Sequence, residues 1–215
     1  LIFDLFACSK VEKQTDGWDQ VEKILSNITQ PTFPDYTLNI IDLGAKIGSE
    51  NDCLPYIKIA IDSLTKLGGG KVLIPEGDFF VKGPIHLKSN INLHVSEGSK
   101  LLFSTNPNDY LPVVFTRWEG VECYNYSALV YAYKQSNIAI TGSGALIGQA
   151  SDDNWWSWKG KKEFSWEEGM PNQNNDRNLL LKMNNENLEV DKRVFGDGHY
   201  LRPNFVQFYE CKNIL

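Results

Sequence analysis

The chain has 215 residues, with 21 Lys and Arg against 27 Asp and Glu, a formal charge of −6, and 42% hydrophobic residues. That length suits one domain. The acidic balance excludes a binder that works by neutralising nucleic-acid phosphates, and the apolar content excludes a disordered chain. No run of about 18 apolar residues exists, so no membrane-spanning helix is expected.

In chain order, residues 1–8 come first. Leu1 to Ser9 is short and mostly apolar, with Leu5 three positions before Cys8 and Ala7 directly before it. It resembles the end of a bacterial lipoprotein signal, which is set aside from fold reasoning. That resemblance implies lipidation of Cys8, a lipid anchor, and a periplasmic or extracellular place, including an outer-membrane-anchored one. Asp4 and the missing basic start depart from it, and a short edge strand is the other reading.

Residues 9–35 are expected to be a helix and linker. Asp16 is a candidate cap, and Trp18, Val21, Ile24 and Leu25 lie at helical spacing. Pro31-Thr32-Phe33-Pro34 breaks the helix. Residues 36–215 are expected to form one β domain. Tyr36 to Asp42 reads as a strand. A longer helix follows, with Asp52 as cap, Pro55 in its first turn, and Leu54, Ile57, Ala60, Ile61, Leu64 and Leu67 as one apolar stripe. Gly68-Gly69-Gly70 ends it.

Short β-rich runs then recur: 71–74, 79–81, 85–87, 91–95, 100–103, 128–133, 138–141, 145–147 and 205–209. Two of them begin alike, Ser89-Asn90-Ile91-Asn92-Leu93 and Ser136-Asn137-Ile138-Ala139-Ile140, and Lys212-Asn213-Ile214-Leu215 opens a third copy. An Asn side chain bonds turn backbone, and stacked copies bond one another. Repeated short strands with Asn corners fit an all-β, right-handed parallel β-helix. Each coil of this solenoid buries its apolar face on its neighbours. The long helix is its expected N-terminal cap. The first residue is Leu1 rather than Met, and the sequence stops inside a run that reads as a strand. The β-helix is therefore expected to be truncated on its C-terminal side.

Cys53, Cys123 and Cys211 match no metal spacing and read as buried free thiols. No cofactor and no metal are expected. Asn27-Ile28-Thr29 and Asn125-Tyr126-Ser127 match the glycosylation pattern.

Asp42-Leu43-Gly44-Ala45-Lys46, the helix after Asp52, and the run from Gly68 to Gly77 resemble the opening segment of the pectate-lyase-like β-helix superfamily. Gly83 to Asn90, Tyr110 to Gly120, Asn154 to Trp158, and Gly198 to Pro203 before Phe208 to Asn213 are similar to polygalacturonase-type enzymes of glycoside hydrolase family 28. The resemblance covers roughly residues 36–215. It implies a secreted enzyme hydrolysing pectic polysaccharide or oligosaccharide, and a monomer with no nucleic-acid partner. It also implies three catalytic Asp, in an Asn-x-Asp and an Asp-Asp motif on later coils, with a Gly-His-Gly and an Arg-x-Lys beyond. Asp152-Asp153 lies before the expected coil, Gly198-His199-Tyr200 comes too early, and no Arg-x-Lys stands in the chain. No catalytic residue is assigned, and the fragment alone is expected to be inactive. A non-catalytic carbohydrate-binding or structural module, and a calcium-dependent lyase, remain as alternatives on the same fold.

Candidate substrate-binding residues are Arg117, Glu119, Trp155, Trp156, His199 and Arg202. Arginine binds a uronate carboxylate through two parallel hydrogen bonds. Arg117 and Arg202 read equally as such ligands or as members of internal ion pairs, for instance Arg117 with Glu119 or Glu122. His199 is a donor to sugar hydroxyls. The Trp-rich loop reads first as packing, with one of Trp155 and Trp156 left to face a sugar ring. Glu119, Glu122, Asp152, Asp153 and Asp197 are loop carboxylates whose ordinary role is solvated charge.

Overall fold

The computed structural model describes residues 17–215. Cys8 and Asp16, expected as a lipidation site and a helix cap, lie outside the described residues. The chain divides into two compact units, Leu1–Gln30 and Pro31–Leu215. In the first, a 3-10 turn at Gly17–Gln20 runs into α1 (Val21–Ser26). Trp18, Val21, Ile24 and Leu25 have the expected helical spacing but are all exposed.

The second unit begins with β1 (Thr37–Asn39), β2 (Gly48–Asp52) and α2 (Leu54–Lys66). The strand expected over 36–42 is shorter, and β2 is a strand that the sequence reading did not single out. Cys53 holds the cap position of α2. Asp52 acts one residue earlier, its Oδ1 accepting from the Leu54 amide at 3.0 Å and from the Lys82 amide at 2.9 Å. Leu54, Ile57, Ala60, Ile61 and Leu64 are buried against β1 and the strands that follow, whereas Leu67, past the helix end, is exposed.

Next come β3 (Gly70–Ile74), β4 (Gly77–Val81), β5 (Ile85–His86), β6 (Ile91–Val95) and β7 (Ser99–Phe103). A hairpin of β8 (Val114–Trp118) and β9 (Val121–Asn125) interrupts the pattern. Then follow β10 (Val130–Tyr133), β11 (Ser136–Thr141), β12 (Ala145–Ile147), α3 (Asn174–Asn185), β13 (Val206–Tyr209) and β14 (Lys212–Ile214).

Apart from the hairpin, the strand pairs are parallel and fall into three sheets. These are ordered β1-β3-β6-β11-β14, β12-β7-β4-β2 and β13-β10-β5. The chain visits the sheets in rotation: β3, β4, β5, then β6, β7, β10, then β11, β12, β13. This order is consistent with a parallel β-helix. Strand alternation sends every second residue inward, and the inward residues stack in register. Val72, Leu93 and Ile140 align in one sheet, and Phe79, Leu101 and Leu146 in another. Ile85 and Val130 align in the third. Each fully buried aliphatic side chain contributes about 1.5–3 kcal/mol by leaving water.

The repeated Asn residues sit at the corner leading into the first sheet. Asn90, Asn137 and Asn213 have φ of 63°, 60° and 52°, which Asn tolerates better than most residues. The Asn137 amide donates to Asn90 Oδ1 at 3.2 Å and to the Thr32 carbonyl at 3.0 Å. Cys53 and Cys123 are buried free thiols and Cys211 is half-buried. Asn125 is wholly buried and donates to the Leu201 carbonyl, so the glycosylation pattern there is closed in the folded chain.

His86, outward on β5, bonds Ser127 Oγ at 3.0 Å through Nε2 and packs on Tyr131. Partial desolvation of the ring, with Lys58 nearby, holds its pKa below the usual 6.5 although the residue as a whole is exposed. The unfolded chain therefore takes up the proton first as pH falls. Stability is expected to drop from about pH 6.5 downward to the folded pKa, and to be flat above. Denaturant titrations of wild type and His86→Asn between pH 5 and 8 check this; the variant should show the smaller pH dependence.

Candidate functional site

Two long insertions, residues 104–129 and 148–205, leave the parallel sheets at the same corner, between the β7/β12 sheet and the β10/β13 sheet. Stacking of coils places them side by side. The first carries the β8–β9 hairpin, whose outer end turns at Glu119 and Gly120. Phe115 of the hairpin packs on Tyr133 and Tyr209, which stack on each other across β10 and β13. The Tyr131 hydroxyl donates to the Phe115 carbonyl at 2.5 Å.

The second insertion carries the Trp-rich loop and α3. Trp118, Cys123, Leu180, Phe195 and Leu201 form a small separate core that ties hairpin, helix and the segment after it together. The Trp118 indole N–H donates to the Arg202 carbonyl at 3.0 Å. Asp176, only 9% exposed, accepts from His199 Nδ1 at 2.7 Å and from the Tyr200 amide at 2.6 Å.

Between the insertions lies an open cleft of about 340 Å³. Glu119, Trp155, Trp156 and Arg202 line it, together with Gln173, Asn204 and Phe205, which sequence reasoning did not single out. The two tryptophans differ. Trp155 is 7% exposed and packs edge-on to Tyr110 and Trp158, whereas Trp156 is 44% exposed. The Arg202 Nε donates to Gln173 Oε1 at 3.0 Å. Burial lowers the Arg202 pKa and the Glu119 charge opposes that; a guanidinium stays protonated regardless. The Glu119 carboxylate accepts from Arg177 Nε at 2.8 Å.

Arg117 and His199 do not line the cleft. Arg117 Nε donates to the Gly120 carbonyl within its own hairpin turn at 3.1 Å, and pairs with neither Glu119 nor Glu122. His199 is engaged by Asp176 and packs edge-on to Phe195. Glu122 accepts from the Tyr209 hydroxyl, and that hydrogen bond, with burial, pushes the Tyr209 pKa up to about 12. Asp152 accepts from Ser165. One Asn-x-Asp spacing overlooked in the sequence, Asn174-Asn175-Asp176, falls in α3, with its Asp committed to His199 and Tyr200. Glu119 is thus the one carboxylate lining the cleft among the described residues. No cluster of three or more His, Cys, Asp or Glu among them is placed to hold a metal ion.

No family model matches the chain. Among solved structures, it is 51% identical to a hyperthermoactive exopolygalacturonase from Thermotoga maritima. The match covers 92% of this chain and 44% of that one, with a TM-score of 0.88. A candidate glycosyl hydrolase from Parabacteroides merdae, 19% identical, shares the fold over 83% of this chain and 61% of its own, with a TM-score of 0.50. Among curated proteins, the plasmin and fibronectin-binding protein A of Streptococcus pneumoniae is 32% identical over 109 residues. That is 50% of this chain and 15% of that protein. The chain therefore spans less than half the length of the exopolygalacturonase it matches.

Proposed function

We propose, from the premise that this chain is similar over nearly its whole length to a polygalacturonase-type glycoside hydrolase, that it forms the N-terminal coils and a sugar-facing cleft of a pectin-degrading enzyme. The rotation of the chain through three parallel sheets supports a right-handed parallel β-helix, the hand that parallel crossovers almost always take. The buried stripe of α2 against the first coils supports its role as the N-terminal cap.

Inverting glycosidases need an acid and a base carboxyl about 6.5–9.5 Å apart. Among the described residues the cleft offers only Glu119, already paired with Arg177. The hydrolytic pair is therefore assigned to coils outside these 215 residues, and the cleft here to substrate recognition. A polymeric substrate supports action in the periplasm or outside the cell, with Cys8 as the lipid attachment point.

The observation that carries the cleft's role is that the exposed Trp156 indole and the Arg202 guanidinium line one cleft, an apolar platform and a carboxylate ligand in the same site. Tryptophan fluorescence titration with trigalacturonate should show saturable binding, and Trp156→Ala should weaken it about tenfold, the effect of losing one aromatic anchor. Polygalacturonate incubated with the 215-residue chain should yield no reducing sugar. Release of reducing ends would place the hydrolytic carboxylates inside this chain, and ultraviolet-absorbing unsaturated products would indicate a lyase. A second reading, a non-catalytic binding module, is favoured by the match to the fibronectin-binding protein. It predicts binding without turnover even in a longer chain.

A further inference from the structure

We propose that α3 sets the charge selectivity of the cleft. In this arrangement Arg177 pairs with Glu119, leaving Arg202, steadied by Gln173, as the one charge facing the ligand without a direct ion pair among the described residues. The inference rests on the cleft binding a sugar.

Two charged side chains line the cavity, Glu119 and Arg202, and they are of opposite sign. Paired with each other, they would leave the cleft neutral and the guanidinium consumed. The structure pairs them elsewhere. Glu119 is taken by Arg177 Nε at 2.8 Å. Arg202 makes no ion pair among the described residues, and its one side-chain hydrogen bond runs from Nε to the Gln173 carbonyl oxygen at 3.0 Å. An amide oxygen orients a guanidinium without cancelling its charge. The two terminal Nη nitrogens make no hydrogen bond among the described residues, and this edge of an arginine takes a carboxylate through two parallel bonds.

Both partners come from one face of one helix. Gln173 at the cap of α3 and Arg177 are four residues apart, so their side chains lie one above the other. Asp176 and Leu180 continue that face. Asp176 anchors the helix to His199 and Tyr200, and Leu180 anchors it in the small core shared with Trp118. The helix and its cap thus supply the partner of each charge. A half-buried cation without a counter-ion is poorly solvated, so an anionic ligand gains more at Arg202 than a neutral one of the same shape. The ligand class is a sugar bearing a free carboxylate, in preference to its methyl ester.

The test is titration of the folded 215-residue chain with trigalacturonate and with its fully methyl-esterified form, followed by tryptophan fluorescence. Wild type should bind the acid at least about tenfold more tightly than the ester. Arg177→Gln frees Glu119 to pair with Arg202. It should lower acid affinity about tenfold and leave ester affinity unchanged. Adding Glu119→Gln to that variant should restore acid binding, a rescue that a merely structural role for Arg177 would not give. Absence of acid binding by wild type would overturn the sugar-binding role of the cleft and this inference with it. Acid preference in wild type that survives Arg177→Gln, or a loss that Glu119→Gln fails to restore, would overturn the role of α3 alone.

Discussion

Gly142→Ala is expected to cost about 3–5 kcal/mol of stability, combining strain at a positive φ with a steric clash. Gly142 opens the turn after β11 with φ of +96°, and a Cβ there would lie 2.0 Å from the Val95 carbonyl oxygen and 2.7 Å from its carbon. Those atoms are backbone of the coil beneath, so no rotamer change relieves the contact. The coils would have to separate, and inter-coil contact is what holds a solenoid together. Gly120, with φ of +92° in the hairpin turn, has nothing within 4 Å of its Cβ position. Gly120→Ala should therefore show the conformational part alone, about 1 kcal/mol or slightly more. Urea denaturation of the two variants separates the effects. Equal losses would mean that close stacking at Gly142 contributes nothing.

Asp176→Ala is expected to cost about 2–4 kcal/mol and to weaken ligand binding in the cleft as well. The carboxylate bonds the His199 ring and the Tyr200 amide, and hydrogen bonds to a charged group are worth about 1.5–3 kcal/mol each before non-additivity. Its loss leaves a backbone N–H without its partner two residues before Arg202. Asp176→Asn keeps an acceptor and should recover part of the loss. For a chain of this size the alanine change corresponds to a fall in Tm of roughly 4–16 °C. An unchanged Tm with unchanged trigalacturonate affinity would show that α3 and the segment after it are held by Leu180 and its apolar neighbours alone.

The strands of the parallel sheets were legible because their physics is local. Alternating apolar residues in runs such as Ile91 to Val95 have one way to bury alternate side chains, and they became β6 with the same bounds. The Asn corners were legible for the same reason: one residue type suits both the positive φ and the bond to the coil below. α3 was missed. Its sequence is rich in Asn, a poor helix former, and of its residues only Asp176 and Leu180 are buried. Tertiary bonds hold it in place of propensity. The hairpin was read as a motif and not as strands, although its pairing across Glu119 and Gly120 is local.

The candidate site divides in the same way. Residue chemistry nominated Arg202 and Trp156, because a guanidinium suits a carboxylate and an indole suits a sugar ring whatever their surroundings. It nominated Arg117 and His199 on equal terms, and folding separated the two pairs. Arg117 is turned back onto Gly120, and His199 is bound by an aspartate 23 residues earlier. The cleft itself joins residues from 118–119, 148–156, 173 and 202–205. Coil stacking brings those stretches together, and no spacing along the chain records it. Repeating local patterns were thus enough to foresee short strands stacked in parallel sheets. Which side chains share a cleft, and which charge in it stays uncompensated, follows from long-range pairing of single residues, which leaves no periodicity in the chain.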